Sequence, residues 1–248
     1  VIKLSVNVNK VATLRNSRGG SVPSVTQAVG VCLDAGAPGI TVHPREDERH
    51  IRRSDVTEIA AQLAARGARG RGVEFNLEGD PRPAFLDLVL AVRPDQCTLV
   101  PVAPGEITSQ AGWSPDMAAS IHPTVARLRS GGVRVSLFVD PTAEAVKGAA
   151  AAGADRVEFY TEPFAKAFAR GAESARASFE RYASAARLAH DLGLGVNAGH
   201  DLDLENLSLF RTLPHLAEVS IGHALVSRAL WVGLDRAVRE YLAAVAGV

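Results

Sequence analysis

Short β-branched runs alternate along this chain with longer alanine- and leucine-rich stretches. In the first kind polarity switches at every residue, and in the second apolar residues recur every three or four, the periods of strand and helix. The strand-like runs fall at Leu4–Val8, Gly39–Val42, Val73–Leu77, Gln96–Val100, Arg134–Val139, Arg156–Tyr160, Gly195–Ala198 and Glu218–Ile221. At four junctions a helical stretch passes through glycine into the next run, at Asp34-Ala-Gly36, Ser130-Gly-Gly132, Ala152-Gly153 and Asp191-Leu-Gly193. Glycine there supplies the left-handed helix cap that other residues resist. Eight strand–helix units in 248 residues predict an α/β fold, one (β/α)8 TIM barrel forming a single domain over residues 1–248. A doubly wound open sheet usually needs fewer units, and no Gly-x-Gly-x-x-Gly follows a strand. Two connections, Pro101–Ile121 (with Trp113 and Pro115) and Thr161–Glu173, exceed ordinary loop lengths. They read as extended βα loops, either lids or surfaces packed on another subunit.

The alternation carries the first functional signal. All-parallel strands are covered on both faces and normally read as unbroken Val/Ile/Leu runs. Here Ser5, Asn7 and Asn9 alternate with Leu4, Val6 and Val8, and Glu74, Asn76 and Glu78 with Val73, Phe75 and Leu77. Glu158 stands between Val157 and Phe159, and Thr41, His43, Ser136, Asp140 and Ser220 share the polar parity. The apolar set then packs under the helices while the polar set faces an unusually hydrophilic interior. Carboxylates buried there cost several kcal/mol each unless partners or ligands offset them, which suggests function; a closed network with arginines is the structural alternative.

Composition removes several classes of function. Twenty-seven basic residues balance twenty-seven acidic ones, so no global field draws nucleic acid or an anionic membrane to the surface. The chain has neither a spanning apolar run nor a charged-then-apolar leader, which reads as a cytoplasmic protein. Cys32 and Cys97 lack metal or redox spacing and read as buried small hydrophobes.

Barrel enzymes work at the carboxyl ends of their strands. The expected occupants of that rim are Asn7 and Asn9, His43 with Arg45 and His50, Glu74, Asn197 with His200, and Gly222-His223. Arg15-Asn-Ser-Arg18-Gly-Gly20 offers guanidinium forks for an oxyanion, and Gly222-His223 leads into a helix N-terminus, which favours an anion. Two such stations on one rim fit a site with two phosphorylated ends. Metal is the poorer reading of the histidines, since the spacing of His43 and His50 matches no helical ligand pair. A glutamate and two histidines suggest proton transfers spread over several steps.

The motifs Asn7-Val-Asn-Lys-Val-Ala-Thr-Leu-Arg-Asn-Ser-Arg18-Gly19, Gly39-Ile-Thr-Val-His-Pro-Arg-Glu-Asp-Glu-Arg-His-Ile51, Val196-Asn-Ala-Gly-His200 and Ser220-Ile-Gly-His-Ala224 resemble the pyridoxine 5′-phosphate synthase family, in the family's order and over nearly the whole chain. The resemblance implies a homo-octameric barrel of vitamin B6 synthesis without organic cofactor. It would join 1-deoxy-D-xylulose 5-phosphate to 3-amino-2-oxopropyl phosphate, releasing inorganic phosphate and water. It implies proton acceptors at His43 and Glu74 and a donor at His200. Arg45, His50 and Thr108 would contact the deoxyxylulose phosphate. Asn7, Arg18, the backbone at Asp201, and Gly222-His223 would contact the amino ketone phosphate. This chain departs from many members in carrying Asn9-Lys10 for Asp-His at a substrate-contact position, and Asp201 where glycine often stands. Lys10 also admits an aldolase-type Schiff base, and a non-catalytic phosphometabolite binder is a third alternative.

Overall fold

The computed structural model describes residues 1–67, 72–101, 111–114 and 118–248. Eight parallel strands close into a barrel in chain order: β1 (Lys3–Asn7), β2 (Gly39–Val42), β3 (Glu74–Gly79), β4 (Gln96–Leu99), β5 (Arg134–Val139), β6 (Arg156–Tyr160), β7 (Gly195–Gly199) and β8 (Leu216–Ile221). Helices α1 (Asn9–Asn16), α2 (Val25–Asp34), α3 (Arg53–Ala65), α4 (Pro83–Val92), α5 (Ala118–Ser130) and α6 (Ala143–Ala151) cover the first five strands, with α1 and α2 both following β1. Helices α7 (Glu162–Ala169), α8 (Ala172–Asp191), α9 (Leu207–Phe210), α10 (His223–Val232) and α11 (Leu234–Ala246) complete the ring. No helix among the described residues is long and apolar enough to cross a membrane.

All eight expected strands form, and the junction glycines behave as their position demands. Gly36, Gly132, Gly153 and Gly193 have φ of 97°, 79°, 79° and 79°, closed to most side chains. The apolar parity faces outward: Leu4, Val6, Ile40, Val42, Phe75, Leu77, Val157 and Phe159 are all 0% exposed. Each such burial stabilises by roughly 1.5–3 kcal/mol, making the layer between strands and helices the main core.

Thr161–Glu173 is not an extended loop. It is helix α7 and its junction with α8, with Pro163 in the first turn, where the missing N–H costs nothing. Phe164 is fully buried, its ring 4.9 Å from Phe210 and 6.1 Å from Tyr182. That segment is anchored in the core rather than hinged over the rim. Pro115 and most of Pro101–Ile121 lie outside the described residues. Trp113 is 7% exposed and donates from Nε1 to the Leu99 carbonyl at 2.8 Å, while its amide donates to Phe138 O at 2.9 Å.

The polar parity fills the bore with cross-strand hydrogen bonds. Ser5 Oγ and Thr41 Oγ1 are 2.6 Å apart, Thr98 Oγ1 donates to Asn76 Oδ1 at 3.1 Å and to Glu158 Oε2 at 3.3 Å, and Asn197 Nδ2 donates to Glu218 Oε1 at 3.3 Å. At the foot of the barrel Glu74 pairs with Arg134 and lies 4.0 Å from Lys3 Nζ. Arg156 Nη1 there donates to Asn197 Oδ1 at 2.7 Å.

Thr41→Val keeps the shape but strands the Ser5 hydroxyl and the Asn76 amide, both partners of Thr41 Oγ1. Urea unfolding should show a loss of about 1–3 kcal/mol. An unchanged midpoint would mean that solvent in the bore replaces these bonds.

Candidate active site at the carboxyl ends of the strands

Register decides which polar side chains meet. Gly39 pairs with Glu74 across β2 and β3, and Thr41 with Asn76. Two residues further on, His43 stands level with Glu78 rather than with Glu74. Accordingly His43 Nδ1 lies 3.9 Å from Glu78 Oε2. His43 is held by its own backbone, whose N–H donates to Asn9 Oδ1 at 2.9 Å, while the Asn9 amide donates to Asn7 Oδ1 at 3.0 Å. Asn9 thus stands in the first turn of α1 and sets the direction of the chain leaving β2. Asn7 Nδ2 reaches Glu78 Oε2 at 3.4 Å and Ser220 Oγ reaches Glu78 Oε1 at 3.5 Å, both long contacts. Arg82 Nη2 donates to Pro44 O at 2.8 Å and pins the segment after His43.

Burial sets the protonation states. Desolvation, aided by the positive field of His50, Arg45, Arg82 and Arg49, pushes His43 down to about 3. The ring is therefore neutral, its contact with Glu78 is not an ion pair, and its buried Nε2 has no hydrogen-bond partner among the described residues. Burial pushes Glu78 up to about 7; the Ser220 hydroxyl opposes the shift and the Glu218 charge adds to it. Glu158, buried close by, is pushed well above the carboxylate range by desolvation and then by Glu78. A neutral imidazole beside a carboxyl group that titrates near neutrality can accept and return protons.

His200 closes β7 on the same rim, with φ of 83° followed by 61° at Asp201. Two consecutive left-handed residues that are not glycine cost of order 1–2 kcal/mol each, less for aspartate. The turn is held by the Thr161 hydroxyl, which donates to the Gly199 carbonyl at 2.8 Å and to the His200 carbonyl. Asp201 contributes more than backbone. Its Oδ2 lies 2.7 Å from His200 Nδ1, and this contact holds the Asp201 carboxyl below its usual range. The His200 ring stands edge-on to Tyr160, with centroids 5.1 Å apart at 80°. Tyr160 belongs with Val100 and Phe138 to a small apolar cluster separate from the main core. By the parity of their strands these three form an apolar wall of the mouth.

The anion stations are partly as expected. His50 lies beside His43, ring centroids 5.9 Å apart, and burial followed by the Arg45 and Lys10 charges pushes it down to about 4. Its Nδ1 accepts the Ile51 amide at 2.9 Å, which leaves the neutral ring's proton on Nε2 as a donor. Lys10 is half-buried in the first turn of α1, and Arg45 half-buried after His43. Arg18 is exposed just beyond α1. Gly222 caps α10 without a side-chain bond; a Cβ there would fall 3.0–3.1 Å from Asn7 Cβ, Cγ and O, so glycine lets the strand-to-helix turn lie against Asn7. His223 opens that helix.

Two sequence expectations are corrected. Glu74 does not share its end of the barrel with His43: as the first residue of β3 it sits at the foot, against Arg134 and Lys3. Because β3 continues through Glu78 to Gly79, the carboxylate that reaches the mouth is two inward positions later. Arg15 offers no free fork either, being 5% exposed and paired with Asp55. Thr108 lies outside the described residues. Glu78 and Tyr160 were both legible in principle as inward-parity residues nearest their strand ends. Among the described residues no group of three or more His, Cys, Asp or Glu side chains is disposed to hold a metal ion.

A family profile described as "Pyridoxal phosphate biosynthesis protein PdxJ" matches residues 4–247. The chain belongs to the PdxJ family. Its relatives include the pyridoxine 5'-phosphate synthase of Christiangramia forsetii, 49% identical over 97% of this chain and 98% of that one. The same-named protein of Bacteroides fragilis is 53% identical over 96% and 97%. PdxJ membership makes this barrel an enzyme of pyridoxal phosphate biosynthesis. Among solved structures, the tryptophan synthase alpha subunit of Legionella pneumophila superposes with a TM-score of 0.64 over 100% of this chain and 94% of that one. A structure described as native KDPGal does so at 0.61 over 99% and 96%. At 12% and 13% identity these two share the fold alone.

The carboxyl groups of the bore make stability fall with pH. Between the ordinary value of 4.5 and about 7, folded Glu78 keeps a proton that the unfolded chain releases. The native state therefore binds more protons there, and unfolding free energy declines as pH rises. Chemical unfolding across that window should show the decline, and Glu78→Gln should make it shallower, leaving the share due to Glu158 and Glu218; equal slopes would place the Glu78 titration elsewhere.

Proposed function

We propose that the mouth of this barrel joins 1-deoxy-D-xylulose 5-phosphate to 3-amino-2-oxopropyl phosphate, forming pyridoxine 5′-phosphate with release of inorganic phosphate and water. The observation that carries the assignment is the neutral His43, its Nε2 unpartnered, 3.9 Å from a Glu78 carboxyl poised near 7. The amine must be unprotonated to attack the ketone, and later steps remove protons from carbon and return them to departing oxygens. His43 and Glu78 serve as acceptors, with Glu78 in the role first read for Glu74. His200, oriented by Asp201, is the donor. Groups whose proton affinities are spread by burial and by neighbours divide such work at one pH.

Arg45 and the Nε2–H of His50, with Lys10 close by and Thr108 from the long connection, hold the deoxyxylulose phosphate. Asn7, Arg18, the Asp201 backbone and the free amides of Gly222-His223 at the start of α10 hold the amino ketone phosphate. The reading includes cytoplasmic assembly as a homo-octamer, for which Leu230 and Trp231, 70% and 84% exposed on α10, offer apolar surface.

Incubation of the purified protein with both phosphates, followed by mass detection, should yield pyridoxine 5′-phosphate; absence of product defeats the assignment. Glu78→Gln and His200→Ala should each lower kcat by at least about 100-fold, the range of general acid–base contributions. Glu74→Gln should keep turnover within about threefold, since its carboxyl lies at the other end; the reverse ranking would restore Glu74. Arg18→Ala should raise the KM of the amino ketone phosphate with little change in kcat, and an unchanged KM would remove it from that subsite.

A further inference from the structure

Arg15 belongs to the motif that suggests an anion fork, but the fold engages it elsewhere. Its Nη1 and Nη2 meet Asp55 Oδ1 and Oδ2 at 2.5 and 2.9 Å, a bidentate pair with both side chains 6% exposed. Nη2 also donates to the His50 carbonyl at 3.1 Å. The neighbouring Asn16 donates from Nδ2 to the same carbonyl at 2.8 Å and to that of Glu48 at 3.0 Å, while its Oδ1 accepts Arg15 Nε at 3.0 Å. Glu48 is left-handed, with φ of 47°, so the turn preceding His50 is held in a conformation it would otherwise resist. On the far side of His50, Asp55 Oδ2 accepts the Arg52 amide at 2.7 Å at the start of α3. The segment from Glu48 to Arg52 is therefore gripped before, at and after His50 by the last turn of one helix and the first turn of another.

We propose that Arg15, Asn16 and Asp55 are positioning residues that hold His50 for the phosphate of one substrate and fasten that subsite to α1. The proposal rests on the assignment of His50 to the deoxyxylulose phosphate. Its logic is geometric. The ring's Nδ1 is engaged by the Ile51 amide, so the direction of Nε2–H follows the backbone of residues 50 and 51. That backbone is fixed by two donors on one carbonyl. Helix α1 begins with Asn9, whose side chain holds the His43 amide, and ends at the Arg15–Asn16 grip, just before Arg18. One rigid element of eight residues thus sets the spacing between the proton acceptor, the His50 subsite and the Arg18 subsite. Lysine at position 15 cannot reproduce a planar fork that meets both carboxylate oxygens and a carbonyl together.

The test measures the KM of each substrate separately for wild type, Asn16→Ala, Arg15→Lys, Arg15→Met and His50→Ala, with 15N NMR of the His50 imidazole. Asn16→Ala, altering a half-buried side chain whose hydrogen bonds among the described residues go to two backbone carbonyls and Arg15, should raise the KM of the deoxyxylulose phosphate about fivefold, the worth of one hydrogen bond. The KM of the amino ketone phosphate should stay within about twofold, and the His50 nitrogens should lose their single-tautomer signature. Arg15→Met should act more strongly, with Arg15→Lys recovering less than half. If the Arg15 variants do not fold, Asn16→Ala decides. Should His50→Ala raise that KM while Asn16→Ala leaves both it and the nitrogen shifts unchanged, the positioning role is overturned and the proposed function stands. Should His50→Ala leave the KM unchanged, the positioning role falls together with the assignment of His50.

Discussion

Every strand of this barrel must serve two environments, because adjacent side chains point to opposite faces. One parity is taken by the shell of Val, Leu, Ile and Phe under the helices; the other is left to a bore lined with Ser, Thr, Asn, Gln, Glu and Arg. The site depends on that division. Apolar residues on both faces would have filled the bore and left nothing at its mouth able to move a proton. The arrangement is costly, since buried carboxyl groups are destabilised as anions. The same penalty raises Glu78 and Glu218 into the range where a carboxyl group can both hold and release a proton near neutrality, and pushes Glu158 well above the ordinary carboxylate range.

Closure then sorts the charges by height. At the foot, Arg134 and Lys3 pair with Glu74, while Arg156 and Arg134 oppose but do not cancel the rise that burial imposes on Glu218. At the mouth, the partners of Glu78 and Glu158 among the described residues are neutral: Asn7, Ser220, Thr98 and the His43 ring. The Glu74 ion pairs below and the neutral partners of Glu78 above let one bore act as structure at one end and as a proton-exchanging surface at the other. The arginines near the mouth sit instead around the His43–His50 segment. There their charges add to burial, the larger cause, in keeping both imidazoles neutral.

The fold was legible because its signals are local and repeated: eight β-branched runs, four left-handed glycines, one polar parity. The site was less so, because it depends on register, a relation between strands that no single strand contains. Glu74 and Glu78 share a face and a residue type, and only the pairing of Gly39 with Glu74 shows which of them stands level with His43. Arg15 and Arg18 look alike as members of one basic motif, and only the fold separates the buried one, paired to Asp55 forty positions away, from the exposed one. Thr161–Glu173 reads as a long loop by its length, whereas it holds helix α7, whose first turn accommodates Pro163. Asp201 could be credited only with its backbone, since its pairing with His200 requires a left-handed turn that residue identities do not announce.

That turn has a consequence for attempts to harden the protein. Replacing a left-handed residue with glycine is a standard route to relieving backbone strain, and position 201 invites it. The exchange would remove the carboxylate that orients the neighbouring imidazole, so a gain in heat resistance would come with a donor free to swivel. Here the tension in the chain and the aim of the acid are one and the same feature.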